Sequence, residues 1–318
     1  MKANKSITFR ALPLAEFAQL ALQETYESFL FNTNRHLLLQ KNPNVWVFGA
    51  EQNQKILARC NIFLNESVGY SPWRMSFGGI EFCPKLSYEV LHNFVVFLTS
   101  FCKQELQLQK LHIKQYPFSY TESNSHLLTQ ILLQNGFSVQ NQELTQYIQV
   151  NQPFEENLHL SEKRRLQKAL KAGFVVEWWQ NPDWKQVFTF VAEARKRRSF
   201  PLTMNETDFY ETVATFPEKY SVFVVKKNAE IVALTVGVKV SRKVFYNFYP
   251  ADNPSFLSYS PMVLLTKGLV DFCKEQSFEI LDLGISTENG KANTGLIRFK
   301  KNLGSQNALK LSFVKILD

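Results

Sequence analysis

The chain has 318 residues, of which 45% are hydrophobic, and a formal net charge of +8. That length accommodates two domains with cores of their own, and the apolar content, with 28 phenylalanines, excludes a disordered polypeptide. The charge is uneven: residues 157–200 hold ten Lys and Arg against four Asp and Glu, a balance of +6. Such clustering suits an anionic partner (a phosphate-rich ligand, a nucleic acid, a membrane surface) and equally a basic face kept for solubility.

In chain order, the apolar residues Phe17, Leu20, Ala21 and Leu30 predict a helix over 14–30, and a second follows around 35–39. Residues 45–50 read as a strand, 51–55 as a polar turn and 56–64 as its antiparallel partner. Gly78 and Gly79 break a further extended segment. Ser87 caps a helix to about residue 106, 108–114 is a strand, 125–135 is a helix stopped at Gly136, and 137–150 supplies closing strands. A basic helix comes next, with Ser161 as its cap and Gly173 as its stop. At 100° per residue Arg164, Lys168 and Lys171 share one face of it, and Leu166, Ala169 and Leu170 the opposite one. A strand over 174–179 and a helix over 188–198 follow, then a strand (220–225), a turn (226–230), its partner (231–240) and a strand over 244–249. Ser260 at the cap and Pro261 at the first helical position open a helix to about residue 275. A strand (278–284), a helix (294–301) and a last strand (308–317) complete the chain.

The second half repeats the order of the first. Val47-Phe48 matches Val222-Phe223, 175 residues on. Phe101-Cys102-Lys103 matches Phe272-Cys273-Lys274 at 171, Leu111-His112-Ile113 matches Leu281-Asp282-Leu283 at 170, and Asn135 matches Asn302 at 167. A slowly drifting offset of this size marks a duplicated domain rather than a solenoid. The expected division is 1–152 and 153–318, each an α/β (α+β) sheet with helices on its faces.

The four cysteines (Cys60, Cys83, Cys102, Cys273) show no CxxC spacing and the five histidines no HxxxH or HExxH, so no metal site is supported. Buried free thiols in a reducing cytoplasm are expected. With no cleavable leader pattern and no apolar run approaching a membrane span, a soluble cytoplasmic protein is expected, of unassigned oligomeric state.

The run Ser161-x-x-Arg164-Arg165-x-x-Lys168-Ala169-x-x-x-Gly173 resembles the element that opens the second domain of Fem-type peptidyltransferases and their GNAT relatives. Arg195-Lys196-Arg197-Arg198-Ser199-Phe200, Ser260-Pro261-x-x-Leu264-Leu265 and Phe278-x-x-Leu281-Asp282-Leu283-Gly284 follow in the family's order. The segment from Gly295 to Gly304 is similar to its terminal glycine–FK–glycine signature. The resemblance covers about 155–318, and the duplication extends it to the first half. It implies tandem GNAT folds that move an acyl or aminoacyl group onto an amine. The residues fix no cofactor; what the resemblance implies is a donor substrate, aminoacyl-tRNA or acyl-CoA, and an anionic or nucleotide-linked acceptor. Two departures stand out. There is no room for the helical hairpin that some Fem proteins insert, and Tyr259-Ser260-Pro261-Met262-Val263 replaces the glycine-rich pyrophosphate loop of acetyl-CoA users, which argues against ordinary acetyl-CoA use. A binding module for RNA or another anion, without turnover, is the alternative from another class.

Acyl transfer to an amine needs a positioned, deprotonated nucleophile and stabilisation of an oxyanion. By resemblance Lys300 is the first choice for stabilising the donor electrostatically, with Arg298 beside it; a surface cation is the plain alternative for both. Arg197 aligns with the family's acceptor-gripping arginine, and Arg198 competes for that role. Arg164 and Lys168, one turn apart, suit a polyanion. Asp282 ends a strand where a carboxylate orients an amine or acts as a base, or hydrogen-bonds a nearby amide. Tyr249 and Ser260 complete the candidate binding set, Tyr249 being equally a core aromatic.

Overall fold

A computed structural model describes residues 6–288 and 290–317. In chain order its strands and α-helices are β1 (Thr8–Pro13), α1 (Leu14–Gln19), β2 (Gln23–Glu24), α2 (Asn34–Leu38), β3 (Val45–Gln52), β4 (Lys55–Asn65), β5 (Val68–Ser71), β6 (Ile80–Phe82), α3 (Tyr88–Gln104), β7 (Lys110–Lys114), α4 (Glu122–Gln134) and β8 (Ser138–Gln149). Then come α5 (Phe154–Asn157), α6 (Leu160–Lys171), β9 (Val175–Trp179), α7 (Trp184–Arg197), α8 (Glu206–Thr215), β10 (Tyr220–Lys227), β11 (Glu230–Lys239), β12 (Val244–Asn247) and β13 (Ala251–Asp252). The chain ends with α9 (Pro261–Glu275), β14 (Ile280–Ile285), β15 (Thr287–Glu288), β16 (Lys291–Ala292), α10 (Thr294–Asn302) and β17 (Gln306–Ile316).

The chain folds as two units, Met1–Glu143 with Leu309–Asp318, and Leu144–Ala308. The first unit orders its strands β1-β3-β4-β5-β7-β17, antiparallel except for the parallel β5·β7 pair. The second orders them β9-β10-β11-β12-β14-β8, antiparallel except for the parallel β12·β14 pair. The two units therefore repeat one strand plan, but each takes its closing strand from the C-terminal end of the other copy's sequence. This is why the boundary between the units differs from the expected one near Pro153.

Finer details repeat as well. Each hairpin turns on two residues in the left-handed region, Asn53-Gln54 (φ 53° and 61°) and Asn228-Ala229 (φ 49° and 66°), as a two-residue turn matching strand twist requires. Each carries a register shift just before the turn, at Ala50/Glu51 and at Val225/Lys226. Tyr70 faces His112 across the first parallel pair, as Tyr246 faces Asp282 across the second.

The second unit's core lies between its sheet and α6 and α9: Phe223, Phe245, Leu264, Leu269, Cys273, Leu281 and Leu283 are buried there. Gly237 on β11 makes room for a ring, since a Cβ on it would stand 2.3 Å from Phe245 Cζ. Gly237→Ala is accordingly expected to cost about 1–3 kcal/mol by overpacking, read as a lower urea midpoint with unchanged slope.

Several sequence expectations are corrected. The helix from Leu14 ends at Gln19, because Ala21 turns left-handed (φ 47°) and Gln23–Glu24 then pairs with β4. The cap of α6 is His159, whose Nδ1 accepts from the Ser161 N–H at 3.3 Å; Ser161 lies inside the helix. Leu170 is 42% exposed, and the buried stripe of α6 is Glu162, Leu166 and Ala169. Ser260 precedes α9 in the left-handed conformation (φ 51°) and gives no side-chain cap. One strand, β8, spans what read as several closing strands, and α8 lies where no element was expected. Gly173 (φ 77°) and Gly136 (φ 78°) do end their helices as expected.

Among the described residues no helix is long and apolar enough to cross a membrane, and no group of three or more His, Cys, Asp or Glu is placed to hold a metal ion.

Candidate active site

Within the second unit a cavity of about 710 Å³ is bounded by α6, β12, β13, α9, β14 and α10. Leu257, Met262, Leu283, Leu296, Phe299 and Leu303 make much of its wall apolar, and Arg165, Arg198, Asn247 and Lys300 bring polar groups to it. An apolar hollow with a few convergent polar groups is the usual form of a small-ligand site.

Lys300 is the group that the local backbone is built to receive. Asn293 caps α10 by accepting the Leu296 N–H at 2.9 Å, which fixes the helix start. Near the helix end, Lys300 is 7% exposed and donates to the carbonyls of Gly284 (2.8 Å) and Ile285 (2.9 Å). Those carbonyls are turned out of the ladder because Gly284 is left-handed (φ 76°) and the β14·β8 register shifts between Asp282 and Ile285. Asp282 Oδ1 holds that turn by accepting the Gly284 N–H at 2.7 Å. An ammonium has three N–H donors; two go to these carbonyls, and the third has no partner among the described residues. Burial lowers the Lys300 pKa to about 8, and the nearby Asp282 carboxylate opposes the shift.

The other expected residues fall into separate places. Arg198 and Ser260 line the cavity with Lys300. Arg198 Nη2 reaches both carboxylate oxygens of Asp252, at 2.7 and 2.8 Å, and Arg197 donates to the Asp252 carbonyl, so both arginines fasten β13. Asp282 (3% exposed) supports the wall from behind through Gly284. Tyr249, at 1% exposure, is a core residue: its ring lies 4.1 Å from Phe248, Arg195 stacks over it, and its hydroxyl bonds the Thr203 hydroxyl. Arg298 is exposed on α10. Arg164 and Lys168 belong to a groove of about 670 Å³ along α6, with Lys163, Lys171 and Tyr259. There Lys168 donates to the Ser258 carbonyl at 2.8 Å and lies 4.7 Å from the Tyr259 ring centre.

Sequence reasoning missed Arg165 and Asn247. Arg165 Nη1 donates at 2.8 Å to Glu162 Oε1, a carboxylate with no exposure at all. The signal was a glutamate on the apolar stripe three residues before an arginine, a spacing that meets on a helix surface. For Asn247 the signal was a lone amide in the aromatic run Phe245-Tyr246-Asn247-Phe248-Tyr249.

Residues 160–301 match the family model described as an acetyltransferase (GNAT) domain. No curated protein matches the chain in sequence. Among solved structures, FemX is similar at a TM-score of 0.68 and 13% identity, covering 97% of each chain. A conserved protein of unknown function from Bacteroides thetaiotaomicron reaches 0.60 at 12% identity, covering 98% of this chain and 100% of the other. A tandem GNAT protein from the clavulanic acid biosynthesis pathway reaches 0.53 at 9%, covering 98% and 99%. Residues 160–301 thus match an acetyltransferase (GNAT) domain model, in a chain that has the fold of FemX and of a tandem GNAT protein.

Proposed function

We propose that the second unit moves an acyl or aminoacyl group from an ester or thioester donor onto an amine, with the Lys300 cavity as reaction centre. The buried ammonium carries this reading. The same helix in the first unit, α4, ends at Gly136 as α10 ends at Gly304. Four residues before those glycines stand Leu132, with no exposure, and Lys300. An apolar residue serves the fold there, and burying a charge costs free energy, so the lysine answers a chemical need. When the amine nitrogen adds to the acyl carbonyl carbon, the π electrons move to oxygen, and the free N–H of Lys300 donates to that oxyanion. Collapse breaks the bond to the leaving oxygen or sulfur, which takes up a proton as the amine loses one.

The start of α9 favours an ester donor over acyl-CoA. Pro261 has no N–H, and the Val263 N–H is bonded to the Ser260 carbonyl at 3.0 Å, leaving a poor cradle for a pyrophosphate. Lys163, Arg164, Lys168 and Lys171 give the α6 groove the charge for a polyphosphate backbone such as that of tRNA. Arg165 and Arg198, each also paired with a carboxylate, offer an anionic, nucleotide-linked acceptor their remaining guanidinium N–H donors.

Thermal shifts with acetyl-CoA, a charged tRNA and a nucleotide-linked peptide bearing a free lysine amine test the assignment. Stabilisation by the charged tRNA and by the peptide is expected. A shift with acetyl-CoA alone, abolished by Lys300→Ala, would show the donor to be an acyl-CoA. No shift with any of the three would remove the support for a substrate site.

The pH profile gives a second check. For a peptide whose acceptor is an α-amine of pKa about 7.7–8.0, kcat/KM rises as that amine loses its proton and falls as Lys300 loses its own. The maximum is expected near pH 8. Asp282→Asn removes a charge that raises the Lys300 pKa, so the falling limb should move to lower pH while the rising limb stays in place.

A further inference from the structure

We infer that Asn247 is a second catalytic residue of this site, donating an amide N–H to the same oxyanion as Lys300. The inference rests on the acyl-transfer reading above. Asn247 closes β12, 8% exposed, on the cavity wall. Its neighbour Tyr246 is the last residue paired with β14, opposite Asp282, so the two strands part at Asn247 and Leu283, and both residues line the opening. Two residues further along β14, the Ile285 carbonyl holds Lys300, as does the Gly284 carbonyl between them. The two donors are therefore set on either side of one strand gap.

The orientation of the amide is fixed by the fold. Thr235, with no exposure, donates its hydroxyl to Asn247 Oδ1 at 2.6 Å. With the oxygen engaged on β11, Nδ2 retains two N–H donors that have no partner among the described residues. A preset, uncharged donor left without a partner among the described residues suits the stabilisation of a developing oxyanion.

The first unit marks the contrast. Pairing places Ser71 after Tyr70 as Asn247 follows Tyr246. Ser71 Oγ accepts the Gly79 N–H at 2.9 Å, and its hydroxyl is bonded to the buried Cys60 thiol. Both donors are thus peculiar to the copy with the cavity, Asn247 in place of Ser71 and Lys300 in place of Leu132.

The test measures kcat and KM for transfer from alanyl-tRNA, and separately from acetyl-CoA, to the nucleotide-linked lysine peptide. An oxyanion donor acts in the transition state, so Asn247→Ala and the near-isosteric Asn247→Asp should each lower kcat by about 10²–10³ and leave KM within about threefold. Thr235→Val, which frees the amide to rotate, should lower kcat by a smaller factor at unchanged KM, as a positioning residue does. Circular dichroism of each variant identifies any that fails to fold, and the Asp variant keeps the shape if the Ala variant does not. Wild-type turnover with kcat retained in folded Asn247 variants, or a rise in KM alone, overturns the assignment of Asn247 and leaves the acyl-transfer reading standing. Absence of wild-type turnover with both donors overturns that reading, and this inference with it.

Discussion

Replacing Lys300 by Met is expected to lower kcat for acyl transfer by about 10²–10³, with the fold retained. Two opposing effects keep the stability change small. The carbonyls of Gly284 and Ile285 lose their donor, which costs about 1–3 kcal/mol for each one left unsatisfied. Against this, the substitution removes a cation whose burial lowers its pKa to about 8 and replaces it with an apolar chain of similar length, as Leu132 occupies the corresponding place in α4. Lys300→Gln is the companion variant: its amide can still donate to one carbonyl but brings no charge. If the charge is what stabilises the oxyanion, Gln should leave stability close to that of the wild type and still lack the rate. Steady-state kinetics and thermal melts of the three proteins, run side by side, read both quantities.

Phe245→Ala is expected to destabilise the second unit by about 3–5 kcal/mol, the range for deleting a buried aromatic. The ring is 1% exposed and stands 5.2 Å from Phe272, 5.3 Å from Phe278 and 6.1 Å from Phe223, centre to centre. Deleting it empties the space between α9 and three strands, where neighbouring side chains are already close-packed and cannot collapse fully. Because Gly237 is small to admit this ring, the two sites are coupled. Gly237→Ala, costly alone, should be nearly neutral or favourable in the Phe245→Ala background, giving an interaction energy of opposite sign to the single effects. Urea denaturation of the four proteins closes the cycle; strict additivity would show that ring and glycine do not share that space.

Periodicity made the repeated parts legible. The runs Val45-Trp46-Val47-Phe48 and Ser221-Val222-Phe223-Val224 are β-branched and aromatic on both sides of polar turns, and both fold as the expected hairpins. Their shared spacing to the Phe-Cys-Lys helices carried the duplication. Local pattern says nothing of which distant strand completes a sheet, so the exchange of β8 and β17 between the two units was hidden. Residues 206–215 have three threonines and two aromatics, weak helix formers, and α8 is held by the Asn205 cap and by packing of Phe209, Thr212 and Val213.

Charge identified part of the site. Lys300 came from the terminal signature, and it lies buried on the cavity wall. Tyr249 was misplaced on the wall because an aromatic strand residue looks alike whether it faces a cavity or the core. Arg164 and Arg198 look alike in sequence too, yet one lies on the α6 groove and the other pairs with Asp252 at the cavity. Asn247 and Arg165 needed the structure, since what matters is the partner that orients each: Thr235 for one, Glu162 for the other.

The most direct test of the acyl-transfer account is a single-turnover reaction. Excess wild-type protein is mixed with an isotope-labelled alanyl-tRNA and the nucleotide-linked lysine peptide, and the peptide is weighed by mass spectrometry. The account predicts an alanyl increment on the lysine amine, formed by the wild type and slowed by about 10²–10³ in folded Lys300→Met. Amide formation at the same rate in both proteins, or none with either alanyl-tRNA or acetyl-CoA as donor, would contradict it.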